Sequence, residues 1–280
     1  MPEHVGFKTK PQLAVDILTD LHTAGLLPPW ATGDEVYGRD KRLRGLCEQH
    51  DVGYVFGVPR SFTVTLTSGR TVRADQAVKL CVSAKAWNRA SCGAGSKGDR
   101  TYAWAWIATT SDRHHLLVRR NLTDPTDLAF FYAYVPAHRP ATLPTLVKIA
   151  GRRWPVEEDF QVGKDHFGLD HSQVRHYTAL LRHLTLTMIA LATCAVTAAA
   201  MRQATNTLAP PPTGPDDTPP EDPGLIPLTV AEVKRLTNLI TRTGRTLAHH
   251  LRWSWWRRRH QARARWFHHR TRLRRELQPA

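Results

Sequence analysis

Residues 30–60 read WATGDEVYGRDKRLRGLCEQHDVGYVFGVPR, and this stretch decides the fold class. The apolar run Trp30 to Gly33 predicts a short buried strand that delivers Asp34 at its end. Residues 39–50 place Leu43, Leu46 and Cys47 on one helical face, and Gly53 to Val58 predict a second buried strand closed by Pro59. Upstream, Leu13, Ile17, Leu18 and Leu21 fall at helical spacing within residues 10–24, and Gly25 ends that helix. A helix–strand–helix–strand run is the unit of a parallel or mixed sheet, so the class is α/β.

The pattern changes after residue 60. TVTLTSGRTVRA (63–74) alternates around Ser68-Gly69, a hairpin signal. Lys79 to Ala86 and Tyr102 to Thr109 are read as further strands, with the Gly- and Ser-rich residues 87–100 as a loop between them. His114 to Asn121 and Leu128 to Val135 form a strand pair. Residues 60–136 are therefore expected to be mostly antiparallel β. Helix returns at Leu143 to Gly151 and at Pro155 to Phe167, with a kink or restart near Trp154-Pro155, because proline suits a first helical turn and breaks an interior. Gln173 to Arg202 predicts one long helix, and the proline-crowded residues 206–224 a linker. Thr229 to Gly244 predicts an amphipathic helix with Thr229 as N-cap.

Charge is divided unevenly. The chain carries 39 Lys+Arg against 24 Asp+Glu, a net of +15. Residues 241–280 alone hold twelve arginines and one acid, a net of +11, which leaves +4 for the other 240 residues. The surplus points to a polyanionic partner, and its place to an arm, not an active site. In that arm Trp253, Trp255, Trp256 and Trp266 stand among Arg257, Arg258, Arg259 and further arginines. Arginines neutralise phosphates and indoles stack on bases. A solvated arm or a membrane-surface helix are the alternatives, of which nucleic-acid contact is favoured. The four cysteines show no CxxC spacing, which argues against a zinc site and a disulfide framework. Leu184 to Met201 approaches membrane-span length, but its threonines and flanking basic residues favour a buried amphipathic or core helix.

Two carboxylates are candidates for chemistry. Asp34 sits at the carboxyl end of a strand, where α/β sheets place ligands, although an Asp there also caps turns and helices. Glu157 lies on a face with Arg153, Gln161 and Lys164, at i, i+4, i+8 and i+11 from Arg153. A carboxylate between two cations suits a metal ligand beside a phosphodiester; an ordinary solvated helix face is the alternative.

The stretches WATGDEVYGRDKRLRGLCEQHDVGYVFGVPR, WNRASCGAGSKGDRTYAWAW and RRWPVEEDFQVGKDHFGLDHSQVR together resemble bacterial insertion-sequence transposases of the DDE superfamily. These enzymes carry a β insertion in an RNase H-like core and a signature of Tyr, Arg, Glu and Lys. Arg153, Glu157 and Lys164 satisfy its last three positions, and Ala150 stands at the tyrosine position. The resemblance implies metal-dependent DNA cleavage and strand transfer. Three carboxylates would hold two Mg²⁺ or Mn²⁺ ions, Asp34 matching the second carboxylate and Glu157 the third. Arg153 and Lys164 match DNA-backbone contacts, and Arg89, Lys97 and Arg100 are weaker candidates. The implied partners are transposon ends and target DNA, with a homodimer or a mixed dimer with a full-length transposase, in the cytoplasm at the nucleoid and off the membrane.

The implied organisation is a partial RNase H-like core at 1–59, a β insertion at 60–136, a helical core segment at 137–205, a linker at 206–224, and a helix with basic tail at 225–280. The resemblance puts the first catalytic Asp on a strand preceding Asp34, where only Glu3, Asp16 and Asp20 occur. The expectation is a chain that begins after that strand, whose two core strands have unpaired edges. A DNA-binding protein without catalysis is the alternative function.

Overall fold

The computed structural model describes residues 6–95, 98–239 and 246–277. The chain forms two compact units, one within Glu3–Gly95 and Asp99–Val156, the other within Glu157–Ala280. Helix α6, given below, crosses from the first into the second.

In the first unit the order is α1 (Lys10–Thr23), β1 (Trp30–Gly33), α2 (Glu35–Gly38), α3 (Lys41–Gln49), β2 (Gly53–Val58), β3 (Thr63–Thr65), β4 (Thr71–Arg73), α4 (Ala74–Cys81), β5 (Asn88–Gly95), β6 (Gly98–Ala108), β7 (His114–Arg120), β8 (Leu128–Tyr134), α5 (Leu143–Gly151) and the start of α6 (Arg153–Phe167). Thr9 caps α1 in a reciprocal box with Gln12. Gly25, at φ +69°, turns the chain out of it. The core-facing residues of α1 are Ala14, Val15 and Leu18, while Leu13 and Ile17 are exposed, so the buried stripe is rotated from the expected one.

A six-stranded sheet runs β1-β2-β8-β7-β6-β5 among the described residues. β1 and β2 are parallel, with Trp30 opposite Gly53 and Gly33 opposite Phe56. β2 then pairs antiparallel with β8, Tyr54 opposite Tyr134 and Val58 opposite Phe130. The edge of β2 expected to lie open is therefore filled by a strand of the β segment, and core and insertion share one sheet. This mixed α/β architecture agrees with an RNase H-like core carrying an insertion. Both faces of the sheet are covered. Leu117, Phe131 and Trp104 face α5, whose Leu146, Val147 and Ala150 are buried against them. Leu116, Val118, Phe130 and Ile107 face the β3–β4 hairpin and α4, through Val64, Val72, Ala74 and Ala77. Burial on both faces explains why β7 and β8 read as continuous apolar runs.

Two sequence expectations are corrected. Lys79 to Ala86 is not a strand: α4 ends at Cys81 and a single 3₁₀ turn follows at Ala84–Ala86. Ala74 and Ala77 are its buried residues, a helical i, i+3 pair, and the apolar LCV run that looks strand-like leaves Leu80 exposed. Residues 87–100 are not a loop either, because β5 and β6 occupy most of them. α5 crosses β5 closely at Gly151, where a Cβ would lie 1.8 Å from the Cys92 carbonyl oxygen.

The second unit holds the rest of α6, then α7 (Tyr177–Ala200), α8 (Arg202–Thr205), α9 (Val230–Thr237) and α10 (Leu247–Leu277). Helix α7 is the one helix among the described residues long and apolar enough to cross a membrane, with mean hydropathy 1.6. Of the two expected forms, an enclosed core helix and an amphipathic one, it is not the first. Its buried residues are Thr187, Cys194 and Ala198, of which Cys194 and Ala198 share a cluster with Val233 of α9, while Leu186, Ile189 and Val196 are exposed. Thr229 caps α9 by accepting from the Glu232 amide, as its position predicts. α9 ends at Thr237 with Asn238 as its C-cap, short of the expected Gly244; residues 240–245 lie outside the described residues, as does Lys97.

Candidate functional site

Asp34 follows β1 and caps α2, its Oδ1 accepting from the Val36 amide at 2.9 Å. The cap engages Oδ1, and the residue is exposed. Its place is fixed by glycines: a Cβ on Gly38 would meet the Gly57 carbonyl oxygen at 1.9 Å, and one on Gly57 would meet the Asp34 backbone at 3.3 Å. Backbone therefore packs on backbone where α2 crosses β2, and the carboxylate is held against the end of the sheet.

Asp34 lines a groove of about 670 Å³ in the first unit. Four cations line it too: Arg60 after β2, Lys79 on α4, Arg119 on β7 and Arg153 at the start of α6. Glu35 and Asp75 are the other acids. Asp75 is engaged by Arg73 in a two-pronged pair, Nε to Oδ1 at 3.1 Å and Nη2 to Oδ2 at 2.8 Å, and these bonds hold its carboxyl below the usual range. Asp75 is thus neutralised locally, and Glu35 accepts from Arg39 Nη2 at 3.2 Å, so the four cations share the groove with Asp34 and two locally paired acids.

Trp154 forms one wall. Tyr102 stacks with it at 6.5 Å between centroids, and Arg100, Arg119 and Arg153 approach its ring at 5.2, 5.4 and 5.4 Å. Arg119 also lies 4.5 Å above Tyr102. The indole packs against the core cluster and orients guanidinium groups. Arg153 opens α6, Glu157 follows one turn later, and Lys164 lies further along; both of the latter are exposed. Ala150, at the tyrosine position of the signature, is buried between Leu146 and the sheet.

Sequence reasoning missed Arg60, Lys79 and Arg119. Lys79 was hidden by reading α4 as a strand. Arg119 carried a signal, because it ends an otherwise apolar strand run, LLVRR.

The three tail arginines are placed on α10. Arg257 donates from Nε to Glu232 Oε2 at 2.8 Å and from Nη2 to Oε1. Arg258 donates from Nε to the Ile226 carbonyl at 2.9 Å and also to the Thr205 carbonyl. Arg259 pairs with Asp222 at 2.9 Å. All three thus have intramolecular partners. Arg252, Trp256, Arg263 and Phe267, at i, i+4, i+11 and i+15, form an exposed face of the same helix.

Asp34 Oδ2 is a hard oxygen donor of the type that divalent Mg²⁺ or Mn²⁺ takes. One oxygen is not a site, and among the described residues no three His, Cys, Asp or Glu side chains come together to hold a metal ion. The described residues therefore do not by themselves fit a two-ion centre. Cys47 is no candidate ligand, since burial and the neighbouring Glu48 push its thiol up to about 12.

A strand-end carboxylate in a cation-lined groove has a charge pattern that suits a phosphodiester ligand. Residues 8–193 match the family model described as the transposase DDE domain, and over this majority of its length the chain belongs to that family. A search of curated proteins finds no match. Membership implies DNA binding and a part in DNA transposition and recombination, and the family uses divalent metal ions.

Proposed function

We propose that the chain is an insertion-sequence transposase component that binds transposon-end DNA, with Asp34 and Glu157 as two of the family's three metal-holding carboxylates. The observation that supports this best is the groove, where Asp34 sits with Arg60, Lys79, Arg119 and Arg153. These cations suit a phosphodiester backbone laid past the carboxylate. Arg153 and Trp154 fix its approach, and Lys164, further along α6, is a second candidate for the DNA backbone. When bound in a complete family site, Mg²⁺ or Mn²⁺ would supply Lewis-acid activation of water or a 3′-hydroxyl. The described residues do not assemble the ions' full ligand set.

A second reading, DNA binding without cleavage, is favoured by one specific feature. Among the described residues no strand precedes β1, so none carries a carboxylate ahead of Asp34. These 280 residues alone are therefore expected to bind DNA and not to nick it. The experiment is equilibrium binding of a mixed-sequence duplex across a salt series, with a supercoiled-plasmid nicking assay in Mg²⁺ and Mn²⁺. Affinity should fall steeply with salt, and Arg60→Gln, Lys79→Gln and Arg119→Gln should each flatten the log–log slope by about 0.9. Metal-dependent nicking that disappears in Glu157→Ala would show a complete catalytic site and defeat the second reading. Salt-insensitive binding, or none, would defeat both. Expected roles in a homodimer or mixed dimer, and at the nucleoid, belong to this same proposal.

A further inference from the structure

The proline-rich residues 206–224 double back as a closed loop. The Thr207 amide donates to the Leu225 carbonyl at 3.1 Å, and the Ala209 amide to the Pro223 carbonyl at 3.2 Å. Gly224 closes the loop at φ +68°, where a Cβ would lie 1.7 Å from the Thr207 carbonyl oxygen. At the tip, the Thr213 and Gly214 amides both donate to Asp217 Oδ2, at 2.7 and 3.0 Å.

The loop is laid along α10. Asp222 pairs with Arg259 at 2.9 Å, the Asp217 carbonyl accepts from Arg270 at 3.3 Å, and the Pro215 carbonyl accepts from Arg274 at 2.8 Å. Asp216 lies 3.8 Å from Arg274. From Arg259 to Arg274 the helix rises about 22 Å, so the loop presents acceptor oxygens to arginines over about four turns. A phosphate backbone offers the same chemistry, negative oxygens in series along a groove or helix.

The two ends of this contact differ in strength. Arg257 is tied to the buried Glu232, and Arg258 to backbone carbonyls. In the outer contacts the side chains of Asp222 and Asp216 are 69% and 93% exposed. Exposed pairs are screened and contribute little, so a denser polyanion can replace them without unfolding the helix.

We propose that residues 206–224 form a displaceable acidic strap that holds Arg259, Arg270 and Arg274 until a DNA phosphate backbone takes its place. The strap restrains DNA binding through α10. This rests on the reading of α10 as a DNA-contacting helix.

The test compares the full chain, the double variant Asp216→Asn/Asp222→Asn, and a charge-matched control, Asp20→Asn/Asp112→Asn, whose changes lie on α1 and the β6–β7 turn. Binding to a mixed-sequence duplex is measured across a salt series, with thermal melts confirming that all three fold. The strap variant should bind several-fold more tightly than the control at low salt, with a log–log slope steeper by up to about 1.8 for two released arginines. Adding the duplex to the unmodified chain should also make residues 206–224 easier to cut with protease. Equal affinity and slope in strap variant and control would overturn the strap while leaving DNA binding intact. Unchanged or increased protection of residues 206–224 would overturn it too. No duplex binding by any of the three would overturn the DNA reading and the strap together.

Discussion

Glu232→Ala is expected to destabilise the second unit by about 3 kcal/mol, the cost typical of removing one partner from a buried ion pair. For a unit of this size that lowers Tm by about 10 °C. The Glu232 side chain is 3% exposed and accepts from Arg257 through two hydrogen bonds and from Arg235 at 3.2 Å. Removing the carboxylate leaves the Arg257 guanidinium, whose side chain is 28% exposed, facing α9 without its acceptor. The residual exposure keeps the cost toward the lower end of the range. Glu232→Leu combined with Arg257→Met should recover most of the loss, because an apolar pair leaves no stranded charge. A single variant within about 0.5 kcal/mol of the parent, the spread of ordinary surface changes, would show that the pair contributes nothing.

The same carboxylate sets a pH dependence. Burial raises its pKa, but hydrogen bonds from Arg257, Ser254 and Arg235, with the Arg257 charge, outweigh that and hold it below the usual value. A group depressed in the folded state contributes stability that is present above its unfolded pKa and lost as pH falls through the folded one. The second unit should therefore begin to lose stability as pH drops below about 5, where an unfolded glutamate, with its pKa of about 4.3, starts to protonate, and go on losing it as pH falls through the lower folded value. Glu232→Ala should lack that component of the acid transition. The difference is measured by melts of the two chains from neutral pH downward.

How much of this was legible depends on the range over which each feature is determined. β1, β2, the Ser68-Gly69 hairpin, β7 and β8 were readable because burial shows directly in local apolar runs and alternation. β5 was not, because its Gly- and Ser-rich sequence has poor strand propensity. Its place comes from α5 crossing at Gly151 and from Cys92 in the core, a tertiary effect that overrides propensity. Asp34 was legible from its place after β1, whereas the convergence of Arg60, Lys79 and Arg119 on it is produced by β2 pairing with β8, a long-range pairing. The tail was legible as basic. That Arg257 would meet Glu232, 25 residues earlier, was not, because a charge count carries no partner.

Gly38→Ala is the second large effect, and it tests how Asp34 is held. The added methyl would lie 1.9 Å from the Gly57 carbonyl oxygen and 3.1 Å from Val58 Cγ1. Neither obstacle can withdraw: β2 is buried throughout and paired on both sides, to β1 and to β8. The four-residue α2 must move instead, taking its cap, Asp34, with it. Overpacking against backbone at this distance should cost about 3 kcal/mol or more, at the upper end for such changes. Gly45→Ala is the matched comparison, the same chemical change in the interior of α3, where a Cβ meets nothing within 4 Å. There alanine is favoured over glycine by about 0.5–1 kcal/mol, so that variant should melt higher than the parent. Opposite signs in the two melts would establish that the α2–β2 crossing is closed to a methyl group. Equal signs would mean that α2 does not seat Asp34 through backbone contact, and the carboxylate would lose its fixed position at the end of the sheet.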